Sequence, residues 1–164
     1  MPATYEKIAT TTLGSANATI SFDSIGSGYT DLRLVLAATN TAALDLNVTF
    51  NSDTGSNYSF TRLSGNGTTA ASSRSTSQTY IRANGASRAA SEPYLLTLDI
   101  FSYAGSTNKT CLITNSEDAN GSGGVGVKVA LWRSTAAITT ITTTTSTSTF
   151  AAGTTATLYG ILKA

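Results

Sequence analysis

LDLNVTF, residues 44–50, alternates apolar and polar side chains without a break: Leu44, Leu46, Val48 and Phe50 against Asp45, Asn47 and Thr49. Successive side chains on a β-strand point to opposite faces, so this stretch lays four apolar groups on one side and three polar groups on the other. A helix would scatter the same residues around its circumference. The segment therefore reads as a half-buried strand, and the question becomes how far the period-two pattern extends.

It extends through most of the chain. Ala18, Ile20 and Phe22 alternate with polar neighbours, as do Leu32, Leu34 and Leu36, and as do Tyr94, Leu96, Leu98 and Ile100. Val125, Val127, Val129 and Leu131 alternate with Gly126, Lys128, Ala130 and Trp132, and the valine side is expected to face the core. Weaker strand candidates lie at 6–12, 57–63, 79–83, 109–114, 137–144 and 155–162. Clusters of Gly, Asn, Asp and Ser separate them, at 24–28, 51–57, 64–67, 103–108 and 117–124. Such clusters supply turns through positive φ and local side-chain hydrogen bonds. No segment carries a capped 3.6-residue period. About ten short strands at regular spacing predict an all-β fold, an antiparallel sandwich or barrel. One domain suits the 164 residues, with 1–12 as an N-terminal arm or first strand and 13–164 as a single β domain.

The tract Thr142–Thr149 holds only Thr and Ser. Mucin-like stalks add proline to that composition, but Pro2 and Pro93 are the chain's two prolines. Thr is β-branched and suits a pleated surface. The tract is thus expected to be a strand, or a strand with a bend. Hydroxyls on both sides would make it poor at burying itself in a monomer. Thr142, Thr143, Thr144 and Thr145 are the candidate subunit interface, where methyls touch and hydroxyls pair; a solvated edge is the plainer alternative. The polar stretch 64–92 reads as long loops.

Composition excludes several chemistries. The chain has no His and one Cys. The commonest general base is missing, as are Ser-His-Asp and Cys-His catalysis and any structural zinc site. Cys111, set in an apolar run, reads as a small buried hydrophobe. Charged residues are 12% of the chain and the net charge is +1, which offers nothing to a nucleic-acid backbone. No apolar run reaches membrane-spanning length, and the opening residues show no signal peptide. Gly121, Gly123 and Gly126 match the spacing of a dinucleotide fingerprint, but they lead from a polar turn into a strand instead of opening a helix, so a hairpin loop is expected. Glu117 and Asp118 could converge on Ca²⁺ in a loop, against the simpler reading of solvated turn acids. No enzyme, cofactor or resident metal is expected. Aromatic residues near loops could stack on sugars, Tyr80 and Tyr94 foremost, although core packing explains most of them.

Several blocks in order resemble a family of small virion proteins of tailed bacteriophages, those of cyanophages and marine phages among them. The resemblance runs through MPATYEKIATTTLGS (1–15), ATISFDSI (18–25) and YTDLRLVL (29–36), then FNSDTGSNYS (50–59) and LDIFSYAGSTNKT (98–110). It continues through LWRSTAAITTI (131–141) and FAAGTTATLYGI (150–161). It implies a jelly-roll β-sandwich of about 8–10 strands on the outside of a particle, made in the host cytoplasm. It further implies either a capsid-decorating, or cement, protein or a tail-fibre or tail-tip component. For the first, the chain is expected as a homotrimer docked on the major capsid protein, with Tyr5 and Ile8 anchoring a docking arm. For the second, the loops at 64–92 with Tyr80 and Tyr94 would bind host surface glycan.

Overall fold

The computed structural model describes residues 4–42, 45–84, 92–117 and 121–162. Among them are twelve strands and no helix: β1 (Tyr5–Thr12), β2 (Thr19–Phe22), β3 (Asp31–Ala38), β4 (Leu46–Phe50), β5 (Tyr58–Gly65), β6 (Ala70–Gln78), β7 (Ile81–Arg82), β8 (Tyr94–Phe101), β9 (Lys109–Glu117), β10 (Gly124–Trp132), β11 (Ile141–Thr145) and β12 (Thr155–Ile161). They form two sheets. The larger has the order β1-β12-β3-β8-β9-β10-β5-β6, the smaller β2-β11-β4-β7, and every pairing is antiparallel.

Without β5, β6, β9 and β10, eight strands remain in two sheets of four, β1-β12-β3-β8 and β2-β11-β4-β7. That is the double-sheet arrangement of a jelly roll. The other four strands are two hairpins inserted after β4 and after β8, and they widen one sheet into a shelf. The β5–β6 hairpin closes over Asn66, whose Oδ1 accepts from the backbone N–H groups of Thr68 and Thr69 at 3.1 and 2.7 Å. Gly67, at φ +84, makes the left-handed step that a Cβ would disfavour. This hairpin corrects the expectation of a long loop over 64–92. Residues 70–78 carry no large apolar side chain on either side, since β6 is an edge strand with both faces largely exposed, so alternation has nothing to record. Residues 85–91, part of the second expected loop, lie outside the described residues.

The core fills the space between the sheets. Leu32, Leu34 and Leu36 of β3, Leu96, Leu98 and Ile100 of β8, and Leu158 of β12 meet Ile20 and Phe22 of β2, Leu46, Val48 and Phe50 of β4, and Ile141 of β11. Apolar burial of this kind is worth about 1.5–3 kcal/mol for each large side chain. Cys111 belongs to the same cluster, and burial pushes its thiol well above the ordinary value, which leaves it unreactive. Tyr58, Tyr103 and Trp132 are also buried; Trp132 packs on Phe50 at 5.6 Å and stacks on Tyr58 at 6.4 Å between ring centroids.

Gly160 of β12 is where backbone and ring come closest. A Cβ there would lie 2.3 Å from the Tyr29 ring. The backbone that carries the ring is fixed, because Tyr103 Oη bridges the Tyr29 backbone N–H and the carbonyl of Gly26. Gly160→Ala is expected to destabilise the fold by about 1–3 kcal/mol, the usual cost of overpacking. A thermal melt reads it, and an unchanged midpoint would mean that the Tyr29 ring moves aside freely.

Candidate interaction surface

The strand β10 is turned over relative to expectation. Gly126, Lys128, Ala130 and Trp132 face inward, while Val125, Val127 and Val129 are 59%, 42% and 54% exposed. The cause is the shelf. Over its inner side lies the segment Arg82–Asn84, the end of β7 and the two residues after it, which presents polar backbone. Lys128 is 1% exposed and donates from Nζ to the carbonyls of Arg82, at 2.5 Å, and Asn84. Its ammonium also sits 5.8 Å from the centre of the Phe60 ring. Buried carbonyls need donors, and a lysine supplies them where valine could not. Lys109 does similar work at the other end of the shelf, reaching the carbonyls of Gly105 and Thr107; burial lowers its pKa.

With the lysine inside, the valines are outside, and their neighbours extend the face. Val127 stands opposite Leu63 of β5, which is 64% exposed, and opposite Thr114 of β9. Val129 stands between Thr61 and Leu112, and Val125 between Gly65 and Ser116. Leu95 and Phe101 of β8 continue the exposed apolar surface. The outward positions of β9, β10 and β5 carry no charged residue. Beside Leu63 a hollow of about 510 Å³ opens, floored by small residues, among them Gly65, Ala70 and Ser72. Between Leu95 and Phe101 on β8, and beyond it on β3, the face turns polar. Arg33 grips Asp99 through Nε and Nη2, at 2.5 and 2.8 Å, and lies 5.6 Å from the Tyr5 ring centre.

The opposite outer face has another character. In the small sheet, Thr142 stands between Ser21 and Thr49, and Thr144 between Thr19 and Asn47. The Ser21 and Thr142 hydroxyls are 3.3 Å apart. The hydroxyl tract is therefore a strand followed by a bend, but not an edge: β2 and β4 pair with β11 on both sides. Thr143 is buried, its hydroxyl donating to the Ile20 carbonyl at 3.1 Å, and Thr145 donates to the carbonyls of Ala18 and Ser148. Of the four threonines expected at a subunit interface, Thr143 is committed to the core and Thr145 to its own strand and bend. Thr142 and Thr144 are half-buried on the outer wall of the small sheet.

The remaining expected sites disperse. Tyr5 and Ile8, expected in a docking arm, lie in β1, which pairs with β12 from Tyr5↔Ile161 to Thr12↔Thr155 around a bulge at Ile8. The Tyr5 ring packs edge-on against Tyr159, and Ile8 rests against the core. Tyr94 is buried on β8 and cannot stack on a sugar; Tyr80 is half-buried beside β7. Glu117 ends β9 and lines a cavity of about 600 Å³ with Thr39, Tyr94 and Thr154, where it is the single carboxylate among the described residues. Asp118 lies outside the described residues, and among those described no group of three His, Cys, Asp or Glu could hold a metal ion. No helix there is long and apolar enough to cross a membrane. Gly121 and Gly123 lead into β10, as a hairpin loop should.

Asp53 ties the loop after β4 to the shelf. Its carboxylate accepts from Trp132 Nε1 at 2.6 Å, from Asn57 Nδ2 at 2.9 Å and from the Gly55 N–H at 2.8 Å. Partial burial pushes this carboxyl up, but the three donors together outweigh it and hold the pKa below the ordinary value. A depressed carboxyl stabilises the fold above its unfolded pKa, and that contribution is lost as pH falls through the folded value. Asp53→Asn is expected to flatten the acid limb of stability below about pH 4. Urea midpoints across that limb check it; an acid limb as steep as the parent's would place the titration elsewhere.

No protein-family model, curated protein or solved structure matches the chain.

Proposed function

We propose that the chain is a structural subunit on the outer surface of a tailed-phage virion, a capsid-decorating protein that reinforces the joints between capsomers. One observation carries this reading: a single sandwich bears a hydroxyl-clad outer face and, on its other side, a patch of exposed valines and leucines with no charged side chain among the outward positions of β9, β10 and β5. The first is at home in water. The second is a surface that protein covers, since contiguous apolar patches of this kind on soluble proteins mark interaction sites. The blocks that resemble phage virion proteins agree with it. Its partners are other copies of itself and the major capsid protein, and its place is the virion.

In mechanism, the subunit asks nothing of acids, bases or metals. Copies that bind only the assembled shell lower the free energy of that shell and of no loose component, so mass action favours the closed particle. Measuring copies per purified virion by quantitative mass spectrometry tests the proposal. Many copies, in proportion to the major capsid protein, are expected. Absence from the particle would end the reading, and a few copies confined to the tail would transfer the chain to a fibre or tip.

A further inference from the structure

We infer that the apolar outer face of β9, β10 and β5 is covered by the same face of a second copy, so that the chain pairs with itself about a twofold axis. This deepens the structural reading above and rests on it, because it names what lies across the exposed valines. It moves the contact between copies from the threonines of β11 to the opposite sheet, and replaces the threefold arrangement expected from the sequence with a twofold one.

Three features favour a second copy. The first is charge. The outward positions of β9, β10 and β5 hold no charged side chain; Asp99 of β8 is already tied to Arg33, and Arg74 of β6, bonded to Thr61 Oγ1 at 3.2 Å, stands at the opposite flank, so the centre of the patch meets its own kind without repulsion. The chain's net charge of +1 adds almost no long-range opposition. The second is shape. Leu63 projects, and the hollow floored by Gly65, Ala70 and Ser72 lies beside it. A twofold contact requires knob and hole on one patch, since residue i of one copy meets j of the other and j meets i. The third is size. Strands β8, β9, β10 and β5 are eight or nine residues long. At about 3.4 Å per residue and about 4.8 Å between strands they offer roughly 550 Å² of flat area. Two copies together cover about 1,100 Å² before side-chain relief is added, close to the lower bound of about 1,200 Å² for specific interfaces. Sheets packed face to face, about 10 Å apart, are an ordinary solution to such geometry.

Sedimentation equilibrium on the full chain tests the pairing. The parent is expected at twice the chain mass. Val127→Lys, which puts an ammonium in the centre of the patch, is expected at the single-chain mass, with its circular dichroism and melting midpoint unchanged and its dissociation constant raised at least about tenfold. Thr144→Lys, on the outer wall of the other sheet, is expected to pair like the parent. If Val127→Lys does not fold, Leu63→Ser is scored in its place. A parent that stays single at about 100 µM, a three-chain mass, or a Val127→Lys variant that pairs undiminished would each overturn the inference. The two proposals fail separately: a pair absent from virions sinks the virion role alone, while a single chain that decorates particles sinks the pairing alone.

Discussion

Leu46→Asp is expected to yield no folded protein. Leu46 is fully buried at the start of β4, and its backbone is already spoken for: its N–H donates to Asn84 Oδ1 at 3.1 Å and its carbonyl accepts from Ala83 at 2.7 Å. The carboxylate would land in the cluster around Val48, Phe50 and Ile81, and the nearby buried Lys128 is already engaged by the carbonyls of Arg82 and Asn84. It must either stay charged in an apolar site or take up a proton, and both cost several kcal/mol in addition to the lost leucine packing of about 2–5 kcal/mol. A domain stable by only about 5–15 kcal/mol has little left after that. Far-ultraviolet circular dichroism and a thermal melt decide it. A cooperative melt at the parent midpoint would mean that β4 does not face the core.

Lys128→Ala has the next largest expected effect, a loss of about 3–5 kcal/mol. Two costs add. The carbonyls of Arg82 and Asn84 lose the ammonium that now donates to them, at about 1–3 kcal/mol for each buried group left short of a partner. The vanished stem leaves a void against Phe60. Lys128→Met separates the two terms, because methionine refills much of the space and donates nothing. Urea unfolding of both variants provides the numbers, with methionine expected to recover part of the loss. A Lys128→Ala chain within about 1 kcal/mol of the parent would show that water or neighbouring donors serve those carbonyls equally well.

These two residues also mark the limits of what could be read from the sequence. Leu46, Val48 and Phe50, the leucines of β3 and the Tyr94–Ile100 run all point inward, as their alternation predicts, because each strand has the other sheet on one side and water on the other. Alternation finds the two faces of a strand but not which of them is inside. On β10 the two candidates were a valine set and a set containing lysine, and hydropathy favours the wrong one. The deciding partner, the backbone of 82–84, is over forty residues away in sequence. β6 leaves no alternation for a related reason: an edge strand wet on both sides has no pattern to display. The hydroxyl tract was legible as a strand, yet its flanking position between β2 and β4 depends on residues distant along the chain. Thus the fold could be read almost entirely, while the exposed valine face, produced by an insertion's tertiary surroundings, could not.

The pairing of β1 with β12 sets a timetable for making the protein. About 140 residues separate the two partners, so during synthesis at about 5–20 residues per second the first strand leaves the ribosome roughly 7–30 s before its mate exists. Throughout that interval Tyr5–Thr12 lacks the one strand it pairs with in the fold. A strand that reads YEKIATTT, with Glu6 and Lys7 near its head and a bulge at Ile8, is poorly shaped for joining a stranger's sheet in the meantime.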